Sequence, residues 1–146
     1  MKKIIAAILL FAVAGGITYL LRDYLDSRSP TYAIPKITVM ADLQPVPTAV
    51  NGYEWSFITA GAVSEEPRSM LDIGLTPKKL LGGENLSIEF SQSLKSLKIS
   101  HTSSYRYDFS PTDSLVVPFE HGGYIYEVIA DFERGHAAYY FYIIVD

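Results

Sequence analysis

The chain has 146 residues, a net charge of −4, no cysteine and a 49% hydrophobic composition. Lipid attachment through an N-terminal cysteine, a disulfide framework and a thiol nucleophile are all excluded, so stability must come from apolar burial. From Ser29 onward 8 Lys and Arg face 14 Asp and Glu, a net charge of −6 that disfavours nucleic acid and anionic lipid as partners.

The first element is an anchor. Lys2 and Lys3 precede an uncharged apolar run from Ile4 to Leu21. Eighteen helical residues at about 1.5 Å each give roughly 27 Å, enough for a hydrocarbon core of roughly 30 Å. Gly15 and Gly16 are tolerated because lipid offers the backbone no alternative to helix. Basic residues lie only before the run, while Arg22, Asp23, Asp26 and Arg28 balance after it. The positive-inside tendency therefore places the N-terminus in the cytoplasm and the remaining chain outside. The alternative is a signal peptide cleaved after Ala12-Val13-Ala14, which would release the chain with Ile17 to Leu21 as a greasy end. A type IV pilin does not fit, because no glutamate follows the Gly16-Ile17 junction at the fifth position. The division is thus an anchor over 1–28, with helix 4–21, and one module over 29–146.

The segment Ser29 to Pro47, with Pro30, Pro35, Pro45 and Pro47, reads as a stiff stalk and first strand. Strands are then expected wherever apolar and polar residues alternate. Ile37, Val39, Ala41 and Leu43 form one set. Tyr53, Trp55 and Phe57 form the next, after Asn51-Gly52, a pair suited to a tight hairpin. Leu86, Ile88 and Phe90 follow, then Leu97 and Ile99, then Leu115, Val117 and Phe119. The last two strands are Gly123 to Phe132 and Ala137 to Val145, joined through Glu133, Arg134 and Gly135. Between Ser64 and Gly83 the alternation stops, and Met70, Leu71, Leu75, Leu80 and Leu81 predict a long connection with a helical turn over the core edge. About seven short antiparallel strands in roughly 110 residues fit an all-β, immunoglobulin-like two-sheet sandwich.

Tyr53-Glu54-Trp55, Gly123-Tyr124-Ile125-Tyr126-Glu127-Val128 and Gly135-His136-Ala137-Ala138-Tyr139-Tyr140-Phe141 together resemble small membrane-anchored extracytoplasmic Ig-like modules of Gram-positive bacteria. Similar modules are appended to BlaR1-type sensor peptidases. The resemblance implies sensing or binding and carries over no catalytic residue. The cysteine that often stands beside the tryptophan in such modules is missing here. Trp55 is expected at the core centre, and Tyr124 as a corner tyrosine whose hydroxyl returns to an upstream backbone group.

If Tyr139, Phe141, Ile143 and Val145 point inward, then Tyr140, Tyr142 and Ile144 point outward beside Ile125 and Ile129. That stripe is the candidate contact face for a protein, a peptide or cell-wall glycan. A reversed register, or a cover over the stripe, would make it structural. Tyr105, Tyr107 and Phe109 form a second aromatic group, expected as half-buried packing.

No catalytic residue, metal motif or cofactor is expected from these residues. His101, His121 and His136 are too widely spaced for a local metal site. No Gly-x-Ser-x-Gly elbow occurs, and Leu81-Gly82-Gly83-Glu84 lacks the lysine and helix of a phosphate loop. Glu65, Glu66 and Asp72 read as solvated charge. A non-enzymatic binding or sensing module is the expectation. A structural subunit assembled through Ala14, Gly15 and Gly16, or an envelope hydrolase, are the alternatives.

Overall fold

The computed structural model describes residues 2–103 and 109–146. Tyr105 and Tyr107 of the second aromatic group lie outside the described residues. Helix α1 spans Lys2–Arg28. Apolar side chains cover its whole circumference and remain exposed from Ile4 to Leu25. A helix apolar on every side needs an apolar surround, and this one is long and apolar enough to cross a membrane. It continues about two turns beyond the predicted limit at Leu21, and Arg22 pairs with Asp26 at 3.9 Å along the extension.

Among the described residues ten strands follow: β1 (Ile37–Ala41), β2 (Gln44–Val46), β3 (Thr48–Phe57), β4 (Gly61–Glu65), β5 (Lys78–Leu80), β6 (Leu86–Phe90), β7 (Ser96–Ser103), β8 (Ser110–Pro111), β9 (Gly122–Phe132) and β10 (Gly135–Val145). They make two sheets. The smaller has the order β2-β1-β6, and the larger β4-β3-β10-β9-β7-β8. All these pairings are antiparallel. Only the short β5 runs parallel to its neighbour, the end of β10.

The inner faces close on a shared core. Val39, Ala41 and Leu86 come from the small sheet, and Trp55, Phe57, Val128, Phe132, Tyr139 and Phe141 from the large one. Phe90 bridges the sheets, its ring 5.6 Å from both Phe132 and Tyr139 in edge-on contacts. Trp55 is 1% exposed and meets Phe132 edge-on at 5.8 Å. Tyr126 and Phe141 stack in parallel at 4.7 Å on adjacent strands. Such aromatic pairs add to the burial that must hold a cystine-free module together.

The strand count exceeds seven because the short β2, β4, β5 and β8 add to the expected strands. Conversely, Leu115, Val117 and Phe119 do not form a strand. Val116 makes one bridge, to Asn85, and Val117 is buried, but Phe119 is exposed over Gly82 and Gly83. Pro118, without an N–H, ends the pairing there. Asn51-Gly52 is no hairpin turn either. It lies inside β3, where the pairing register with β10 shifts between Ala137 and Tyr139. This is a β-bulge, and Gly52 supplies its positive φ of 94°.

Within Ser29–Pro47 the expected first strand is present as β1, while the residues before it pack against the module. A 3-10 turn over Pro30–Tyr32 leads directly to β1, and Ile34 is buried in the core. The Tyr139 hydroxyl donates to the Pro35 carbonyl at 2.6 Å. The cause is a lock between α1 and the module. Asp23, buried although it sits on the helix, accepts from the Thr59 N–H and the Thr59 hydroxyl, both at 2.9 Å, and from Arg134 at 2.5 Å. Arg134 also donates to the Ser56 carbonyl and lies over the Phe57 ring. The β3–β4 loop and the β9–β10 turn are thereby clamped to the helix end.

Candidate functional site

The outer face of the large sheet follows from the alternation of its two longest strands. With Tyr126, Val128, Ala130, Phe132, Tyr139, Phe141, Ile143 and Val145 buried inward, the opposite face of β9 presents Ile125, Glu127 and Ile129. That of β10 presents His136, Ala138, Tyr140, Tyr142 and Ile144. The register sets Tyr140 beside Glu127, Tyr142 beside Ile125 and Ile144 beside Gly123. Ile125, Ile129, Tyr142 and Ile144 are half-buried on this face.

Tyr140 departs from the expected exposure: it shares the face but is only 5% exposed. Two contacts explain this. Phe109 lies edge-on against its ring at 6.3 Å, and its hydroxyl donates to Glu127 Oε1. The other oxygen of Glu127 accepts from the Ser100 hydroxyl at 3.1 Å. One carboxylate therefore ties β10, β9 and β7 together across the outer face. Burial pushes the Tyr140 hydroxyl well above the ordinary tyrosine range, and the Glu127 hydrogen bond and charge push it further.

Beside Tyr140 the face opens into a groove of about 330 Å³. Its floor includes Ile129, Ala138 and Tyr140, and its far wall comes from β3, β4 and the chain after β4. Glu54, Glu65, Glu66 and Glu127 line it together with His136. Glu54 faces His136 directly in the β3–β10 register, and Glu65 faces Tyr53 in the β3–β4 register. Burial first, and Glu65 second, raise the Tyr53 hydroxyl above its usual range. Glu54, Glu66 and Glu127 give the groove a negative potential that attracts cations, while Glu65, opposite Tyr53 in the register, is turned to the other face of the edge strand.

The bulge positions the far wall. Asn51 is buried and its side chain faces the backbone of Arg68, donating to the carbonyl at 2.9 Å and accepting from the N–H at 2.7 Å. Gly52 lets Pro67 approach so closely that a Cβ at position 52 would lie 2.9 Å from the proline Cγ. At the hairpin end, a Cβ on Gly135 would collide with the Glu54 carbonyl oxygen, so glycine is required for the two strands to meet there.

The remaining candidates are dispersed. Trp55 is the core anchor on β3, and among the described residues its Nε1 is buried without a hydrogen-bond partner. Tyr124 is half-buried against the core, and its hydroxyl donates to the Glu120 carbonyl at 3.0 Å. His101 stacks on Tyr126 at 5.4 Å, whereas His136 borders the outer groove. Among the described residues no group of three or more His, Cys, Asp or Glu is arranged to hold a metal ion.

Glu54 and Glu127 escape a sequence reading because each is simply the polar member of an alternating strand. Glu65 and Glu66 are visible only as adjacent charges. What unites them is strand order, which puts β4, β3, β10 and β9 side by side. Comparison with protein-family models, with curated proteins and with solved structures gives no match for this chain.

Proposed function

We propose that the chain is a membrane-anchored, extracytoplasmic, immunoglobulin-like binding module that captures a basic, extended protein segment in the outer groove. The observation carrying this reading is the continuity of the acidic groove with β4. That strand is an edge of the large sheet, and its five residues include neither proline nor lysine to deter pairing. An extended segment can pair with such an edge through its backbone while its lysines or arginines reach Glu54 and Glu66. The outward orientation is supported by Lys2 and Lys3 preceding the apolar run and by the balanced charge after it. The action is non-covalent.

The test is fluorescence anisotropy of a labelled peptide of alternating lysine and valine, titrated with the full chain in lipid nanodiscs. Exposed ion pairs are each worth up to about 1 kcal/mol, so replacing Glu54 and Glu66 together with glutamine should weaken capture by roughly tenfold. Salt should weaken the unsubstituted protein more than the double variant. Equal affinity for an alternating glutamate and valine peptide would overturn the reading.

A further inference from the structure

We infer that the helix-proximal end of the β-module is a second membrane contact, seated on the bilayer that α1 crosses, with Ile58 and Tyr32 in its headgroup region. This rests on the reading of α1 as an inserted anchor, and its depth follows from the Asp23 lock. Asp23 stands two residues beyond Leu21, the end of the apolar run, or about 3 Å along a helix axis. Its carboxylate is 2.9 Å from both donors of Thr59. The tip of the β3–β4 loop is therefore held at the level where hydrocarbon gives way to headgroups.

That tip, Ile58-Thr59-Ala60, carries no charge, and Ile58 is 63% exposed. A lone exposed isoleucine needs no explanation on an ordinary surface, but one fixed at this height meets lipid. Tyr32, in the turn after α1, is 84% exposed, and Tyr19 and Tyr24 project from the helix on either side of the same level. Tyrosines are favoured there because the ring lies among acyl chains while the hydroxyl stays hydrated. Between helix and module a cavity of about 310 Å³ opens, bordered by Tyr19, Tyr32, Arg22 and Asp26 and closed behind by Arg134 and Asp23. Two arginines balance two aspartates, so the seat suits a zwitterionic lipid surface and needs no anionic lipid.

The absence of cysteine makes the test direct. Single variants Phe11→Cys, Tyr32→Cys, Leu43→Cys and Ile58→Cys, all at exposed positions, would be labelled with an environment-sensitive fluorophore. The full chain would be reconstituted into phosphatidylcholine vesicles carrying a nitroxide either on the headgroup or midway along an acyl chain. The label at Phe11 should be quenched by the acyl-chain nitroxide, those at Ile58 and Tyr32 by the headgroup nitroxide, and that at Leu43 by neither. If Phe11 is quenched while Ile58 and Tyr32 respond like Leu43, the inference is overturned and the anchor stands. If Phe11 is not quenched either, the anchor falls and the inference falls with it.

Discussion

Replacing Asn51 with alanine removes both arms of the contact that holds the groove wall to the β3 bulge. Two hydrogen bonds are lost, at 2.9 and 2.7 Å, from a side chain that is almost wholly buried. Each is worth about 1 kcal/mol net, and the Arg68 backbone lies at an exposed position where water can replace the amide, so the expected cost is about 2 kcal/mol. For a module of this size that corresponds to a fall in Tm of roughly 8 °C. The single tryptophan, Trp55, reports unfolding from the core centre, so urea denaturation of the full chain in detergent micelles can be followed by its fluorescence. Asn51→Asp should cost at least as much at neutral pH, because a second carboxylate oxygen would face the Arg68 carbonyl. That variant should regain stability as acid protonates the introduced carboxyl and restores a donor. A cost below about 0.5 kcal/mol for Asn51→Ala, within the range of an ordinary surface change, would refute the clamp.

Trp55→Ala should destabilise by about 3 to 5 kcal/mol, measured by thermal unfolding; a cost near 1 kcal/mol would mean that the core is centred elsewhere. Tyr140→Ser should cost about 3 kcal/mol and Tyr142→Ser only about 1 kcal/mol, because the first is buried and bonded to Glu127 and the second is half-buried. Equal losses would remove the distinction between them. Burial raises the Tyr126 hydroxyl from 10.0 to about 12, and Tyr139 and Tyr140 shift in the same direction. Above its ordinary pKa the unfolded chain releases this proton while the folded chain retains it. Stability should therefore be intact below about pH 10 and fall between about pH 10 and 12, with Tyr126 contributing about 3 kcal/mol. Urea midpoints across that range check this, and Tyr126→Phe should flatten the decline.

The sequence reveals β9 and β10 because each runs for eleven residues, long enough for inward and outward positions to separate cleanly. The inward burial of Tyr139, Phe141, Ile143 and Val145 follows directly from that alternation. β8 has two residues, too few to show a period, and β4, Gly61-Ala62-Val63-Ser64-Glu65, lacks the apolar–polar alternation that marks the equally short β6. Asn51-Gly52 illustrates a different limit. A tight hairpin and a bulge make the same local demand for positive φ, and only the strand lying opposite distinguishes them. Tyr140 has the spacing of an exposed residue, but Phe109 and Glu127, remote in sequence, enclose it. The acidic groove is equally non-local, since residues 54, 66 and 127 meet only through sheet order. Asp23 shows how far this extends: it reads as half of a balanced flank, while its partner Arg134 is 111 residues away.

Asp23, by locking α1 to the module, holds the groove in a fixed pose relative to the helix. Pulsed electron spin resonance between spin labels at Phe11→Cys and Leu43→Cys, on the full chain in nanodiscs, tests it most directly. A single narrow distance distribution that broadens on adding Asp23→Ala is the predicted result. A distribution already broad with Asp23 in place would contradict the account, because the module would then swing freely on its anchor.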